Sequence, residues 1–109
     1  MSSLPKFVRI RRRSEFASIF AEGRSLADRA LVLYWRVRST GPPRVGFCVG
    51  KQLGKAVTRN RIKRLLRESW RVLAAEAEIP ADLVFVARRG GACFSLAEWV
   101  EAMRGLLLR

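Results

Sequence analysis

The sequence predicts an α+β fold in which helices pack on one sheet. Three observations lead there. Two long segments, one from Thr58 to about Glu76–Glu78 and one opened by Ser95, carry apolar residues at helical spacing. Three runs, 30–38, 44–50 and 82–88, are apolar, strand-length and separated by turn residues. The chain has 109 residues, half of them apolar, enough for a single domain over 1–109 with one modest core.

Each element has its own signal. Met1 to Arg13 carries Lys6, Arg9, Arg11, Arg12 and Arg13 without an acidic residue, which predicts an extended or loosely ordered segment suited to phosphate or to solvent. Ser14 is the expected cap of a short helix to about Glu22, with Gly23 as its stop. Phe16, Ile19 and Phe20 share one face of it, and spacing alone makes such rings core residues; the alternative is a platform on which unpaired bases stack. Residues 30–38 and 44–50, joined by Ser39 to Pro43, read as an antiparallel hairpin with Trp35 in the core. Gly54 allows a tight path into the next helix.

That helix places Ile62, Leu65, Leu66, Val72 and Leu73 on one side, and Pro80 marks the break after it. Leu83 to Val86 are apolar in succession, as in a strand covered on both faces. Ser95 with Glu98 makes a capping box, and Leu96, Trp99, Val100, Met103, Leu106 and Leu107 form the last apolar stripe. The resulting order is helix, two strands, helix, strand, helix. A parallel strand-helix-strand unit from Arg44 to Arg88 would by default cross over right-handed.

Charge narrows the function. The net charge is +13, from 22 Lys and Arg against 9 Asp and Glu, which points to a nucleic-acid partner. The charge concentrates between Lys51 and Arg71, where eight of twenty-one residues are basic and only Glu68 is acidic. Arg59, Lys63, Arg67 and Arg71 stand at i, i+4, with Asn60 and Arg64 on the adjoining row. Like charges at this spacing each cost a helix about 0.2–0.5 kcal/mol; a polyanion along the face would reverse the sign of the set.

Other classes recede. No apolar run approaches the roughly 20 residues of a membrane span, and no secretory signal precedes the domain; the expected compartment is the cytoplasm, with no membrane partner. Cys48 and Cys93 lie far apart and read as buried, reduced thiols. Histidine is absent, so structural zinc has no usual ligand set. The nine carboxylates show no clustering suited to two-metal phosphodiester cleavage. A nuclease acting alone is not expected, nor does any feature require a protein partner.

Ala56-Val57-Thr58-Arg59-Asn60-Arg61-Ile62-Lys63-Arg64-Leu65-Leu66-Arg67-Glu68 resembles the signature of the bacterial ribonuclease P protein subunit. Glu15-Phe16 with Phe20 and Gly23, Leu33-Tyr34, Arg44-Val45-Gly46 and Val86-Ala87-Arg88 follow in the family's order. Gly50 and Gln52 stand where the family commonly has a hydroxyl residue and a second lysine. The resemblance implies an α-β-β-β-α-β-α order with a mixed sheet, a fourth strand beyond the three legible here, and a left-handed β-α-β crossover in a ribosomal-protein-like fold. It also implies a protein that assists a catalytic RNA in removing the 5′ leader of precursor tRNA, with Mg²⁺ held mainly by the RNA. By the same resemblance Phe16, Phe20, Tyr34, Lys51 and Arg88 would line a leader-binding cleft. Arg11, Arg12, Arg59, Asn60, Arg61, Lys63, Arg64 and Arg67 would meet the catalytic RNA. A structural ribosomal-type RNA-binding protein is the alternative, and a membrane-active basic protein a more distant one.

Overall fold

The computed structural model describes residues 8–76 and 79–108. Its elements in chain order are β1 (Val8–Arg9), α1 (Arg13–Glu22), β2 (Arg24–Ala27), β3 (Leu31–Val37), β4 (Arg44–Cys48), α2 (Ala56–Leu73), β5 (Ala81–Ala87) and α3 (Leu96–Leu107). The described strands form one sheet in the order β1-β4-β5-β3-β2. β5 is central because its side chains are apolar toward both faces and need cover on both. It runs antiparallel to β3 and parallel to β4, and α2 makes the connection between the two parallel strands.

This order corrects the expected hairpin. The strands near 30–38 and 44–50 are antiparallel in direction but do not pair, because β5 lies between them. The hairpin that does form joins β2 to β3, with Leu26 opposite Leu33. Its turn is held by Asp28, whose Oδ1 accepts from the amides of Ala30 and Leu31 at 2.8 Å each. β2 is the fourth strand that the resemblance implied. It left no apolar signal because it is an edge strand with three of its four residues exposed.

The chain enters the sheet earlier than its composition suggests. β1 pairs in parallel with β4, the Ile10 amide donates to Val45 O at 2.8 Å, and the Ile10 side chain is buried. From Val8 onward the segment expected to be extended or loosely ordered is therefore part of the fold; the rest of that expectation falls on residues 1–7, which lie outside those described. This anchored approach also starts α1 at Arg13, so Ser14 is not the cap. Arg12 takes that position, with no side-chain bond, and its carbonyl accepts from the amides of Glu15 and Phe16.

The two faces of the sheet carry unequal cover. On one, Leu33, Val45, Leu83 and Phe85 pack against Ile62, Leu66 and Trp70 of α2 and Trp99 and Met103 of α3. The buried line of α2 is Ile62, Leu66, Ser69, Trp70 and Leu73, which leaves Val72 52% exposed, against expectation. Leu96 is likewise exposed at the start of α3, whereas the capping box is present in both directions, Glu98 N to Ser95 Oγ at 3.3 Å and Ser95 N to Glu98 Oε1 at 3.0 Å. On the other face, among the described residues, α1 and Ile10 cover Val84, and Phe16, Tyr34, Cys48 and Val86 remain half-buried. Neither cysteine is buried as expected: Cys48 is half-buried, Cys93 is exposed, and both are free. No helix among the described residues is long and apolar enough to cross a membrane.

Candidate nucleic-acid interface

Strand alternation builds the thinly covered face in three rows. Register places Arg36, Asp82 and Arg44 in the first, Tyr34, Val84 and Gly46 in the second, and Val32, Val86 and Cys48 in the third. α1 lies over the first two rows. A Cβ on Gly46 would stand 2.5 Å from the Phe16 ring, so glycine there is what seats that ring on the sheet. Phe20, 41% exposed, meets Tyr34 edge to face with ring centroids 4.8 Å apart, and the Phe16 and Phe20 centroids are 6.3 Å apart. The three rings named from sequence therefore converge, with Ile19 buried behind them as the core residue of α1.

The third row continues this strip as a half-exposed apolar floor. Arg88 follows β5 at one end, its amide donating to Ala30 O at 2.8 Å and its Nη1 to Asp28 O at 2.7 Å. Lys51 follows β4 on a short 3-10 turn, Lys51–Leu53, and is exposed. Because Cys48 stands opposite Val86 in parallel strands, Lys51 and Arg88 leave the sheet at the same end. Gly54, at φ 126°, then turns the chain into α2 in a conformation that favours glycine.

The cations of α2 lie beside this strip. A hollow of about 230 Å³ is lined by Arg9, Ile10, Arg11, Phe16, Phe47 and Lys63, joining an aromatic ring to the basic helix. Partial burial, followed by the nearby charges of Arg67 and Arg11, pulls the Arg9 guanidinium below its usual pKa. Arginine remains charged regardless, so the direction reflects first the partial burial of Arg9 and then the cations beside it. Among the described residues none of Arg59, Arg61, Lys63, Arg64 and Arg67 has an ion pair. Glu68 pairs instead with Arg71 at 3.1 Å. Asn60, Arg61 and Arg64 are exposed, whereas Arg59 is half-buried, with a shielded Nε that has no hydrogen-bond partner. Arg11 and Arg12 are exposed where the first strand leads into α1.

Sequence reasoning missed several members of this surface. Arg9 had no distinguishing mark within a basic segment, and only its pairing opposite Val45 places it near Arg67. Cys48 was assigned to the core, but alternation sets it on the floor of the strip; its burial raises the thiol pKa, which Lys63 partly opposes. Asp82 looked like the polar start of a strand, yet it is buried beneath α1 among three arginines. Among the described residues no group of three or more His, Cys, Asp or Glu converges to hold a metal ion. What the described side chains present along this surface is cations and rings.

Comparison with known proteins gives the family. The family model described as Ribonuclease P matches residues 4–109. The ribonuclease P protein component of Exiguobacterium sp. (strain ATCC BAA-1283 / AT1b) is 39% identical over 106 residues, covering 97% of this chain and 92% of that one. That of Thermoanaerobacter sp. (strain X514) is 42% identical over 83 residues, covering 76% and 72%. Among solved structures, the RNase P protein of Staphylococcus aureus superposes with a TM-score of 0.84 at 30% identity, covering 94% of each chain. The Thermotoga maritima RNase P protein, solved with 1-(4-fluorophenyl)-2-thiourea, gives a TM-score of 0.85 at 30% identity, covering 93% and 98%. The chain belongs to the ribonuclease P protein family, the protein components of the ribonucleoprotein endoribonuclease that matures the 5′ ends of tRNA.

Proposed function

We propose that this chain docks on the catalytic RNA of ribonuclease P through α2 and the segment before α1, and holds the 5′ leader of precursor tRNA on the strip beside them. The observation that carries the proposal is the juxtaposition of unpaired cations, Lys63 and Arg67 with Arg9 and Arg11, and the contiguous rings of Phe16, Phe20 and Tyr34. Arg59, Arg61, Lys63, Arg64 and Arg67 would meet phosphates of the catalytic RNA, with Arg11 and Arg12 extending the contact. Asn60, which can both donate and accept, would fix orientation at that junction.

A single-stranded leader suits the second surface because its bases are free to stack, whereas bases in a duplex are not. Phe20 and Tyr34 would offer ring faces and edges, and Lys51 and Arg88 would meet phosphates at the far end. Such contacts are absent when the leader is absent, so they favour precursor over mature tRNA. Mg²⁺ would be held mainly by the RNA, where it supplies the cleavage chemistry. This chain's part is to neutralise phosphates, which lowers the Mg²⁺ concentration needed to hold the RNAs together. The proposed compartment is the cytoplasm.

The test is equilibrium binding of precursor and leaderless tRNA to a bacterial ribonuclease P RNA, with and without this protein. The proposal expects the protein to raise affinity for the precursor selectively. Equal affinity gains for both tRNAs would instead favour a structural, ribosomal-type RNA-binding role.

A further inference from the structure

We infer that Asp82 is a positioning residue for the leader-binding strip, acting through α1; this inference rests on the proposed leader reading of that strip. Asp82 is 1% exposed on the central strand, an unusual place for a carboxylate in an otherwise apolar run. Its Oδ2 accepts from Arg36 Nη2 at 3.0 Å. Its Oδ1 lies 3.7 Å from Arg44 Nη1 and 3.9 Å from Arg38 Nε, within ion-pair range but without a hydrogen bond. Arg36 and Arg44 are its cross-strand neighbours on either side, so the row is fixed by register.

The two arginines then reach opposite ends of α1. Arg44 pairs with Glu15 in the first turn, and Arg36 meets Glu22 at 3.2 Å and Ser18 Oγ at 2.7 Å toward the last. Phe16 and Phe20 lie between these ends. The rings meet sheet residues of the adjoining row, Phe16 on Gly46 and Phe20 on Tyr34. One buried carboxylate thus sets the side chains that clamp the helix at both ends, and the helix sets the rings. Beyond these contacts and the two rings, Ile19 is the one buried side chain of α1, and no side chain among the described residues caps its N-terminus.

Removing the negative charge would leave three arginines facing one another at the sheet surface, and they would turn outward and release Glu15 and Glu22. The helix would keep its turns and lose its fixed placement. α2 sits on the opposite face of the sheet, so its RNA contacts would persist. The consequence is specific to the leader, unlike a general loss of stability.

The experiment uses holoenzyme assembled from a bacterial ribonuclease P RNA and full-length protein, either wild type, Asp82→Asn or the double variant Glu15→Gln/Glu22→Gln. Precursors with leaders of increasing length and leaderless tRNA are compared for affinity, KM and kcat. For Asp82→Asn the expected result is a loss of roughly tenfold or more in the precursor-over-mature ratio, the scale of one lost base stack. The loss should grow with leader length and fall on KM, with kcat at saturation unchanged; any loss of affinity for the catalytic RNA, through Arg12 at the cap of the displaced α1, should be the same for every leader length. The double variant removes the outer ends of the clamp without burying an unpaired charge, and it decides the matter if Asp82→Asn does not fold; it should show the same leader-length dependence to a smaller extent. Full discrimination by a folded Asp82→Asn protein, or by the double variant where the first does not fold, overturns the inference; so does equal loss for precursor and mature tRNA. If wild type itself shows no leader-length dependence, the leader reading has failed, and this inference with it.

Discussion

Phe20→Leu separates what the rings do for the fold from what they do for RNA. Phe20 is 41% exposed and contributes an edge contact to Tyr34. Leucine keeps most of the apolar packing beneath α1, so the fold loses only the ring pair and a little volume, about 1 kcal/mol. The substitution removes the π face entirely. Base–aromatic stacking is worth about 1–3 kcal/mol, so precursor affinity should fall about 5- to 150-fold at 1.4 kcal/mol per tenfold. Affinity for leaderless tRNA should not change, because no leader base is present to lose. The assay is equilibrium binding of both tRNAs to reconstituted holoenzyme, with thermal unfolding of the free protein as the control. Equal weakening of both tRNAs, or unchanged precursor affinity in a folded variant, would refute the stacking argument.

Further outcomes follow from the same geometry. Gly46→Ala should cost about 1–3 kcal/mol of stability, since its Cβ would press on the Phe16 ring, and should lower precursor selectivity; thermal melts and the binding ratio check both. Arg64→Ala, at an exposed and unpaired position, should weaken precursor and mature complexes alike and reduce the slope of log K against log salt by about 0.7–0.9, with stability within about 0.5 kcal/mol of wild type. Ser95→Ala should cost about 1 kcal/mol through the lost cap, with RNA binding intact, as measured by unfolding and filter binding. Burial raises the Cys48 pKa, so less thiolate exists at a given pH; alkylation should reach exposed Cys93 first and modify Cys48 only as pH rises, a sequence that mass spectrometry can follow.

What could be read from the sequence was what leaves a periodic or chemical trace. The apolar succession Leu83 to Val86 signalled a strand covered on both faces, and β5 is central. Ser95 and Glu98 marked the start of α3 to the residue. β2 was invisible because an exposed edge strand needs no apolar alternation, and the mistaken hairpin arose because chain order cannot show that a later strand inserts between two earlier ones. Trp70, buried against Phe85, was absent from the expected apolar side of α2, which instead included the exposed Val72. For the candidate site, the basic row was legible through its spacing, whereas spacing alone assigned Phe16 and Phe20 to the core and only the family resemblance named them as a cleft. Asp82 was not legible, since its meaning depends on Arg36 and Arg44, brought beside it by pairings 46 and 38 residues apart in sequence.

The proposed role of this protein is to assist an RNA catalyst acting on precursor tRNA. It is tested most directly by cleavage of a leader-bearing precursor at low Mg²⁺ by a bacterial ribonuclease P RNA, with and without the protein. The expected result is little cleavage by the RNA alone, marked stimulation by the protein at the correct mature 5′ end, and weaker stimulation by Arg61→Ala. Tight RNA binding by the folded wild-type protein with no stimulation would contradict it.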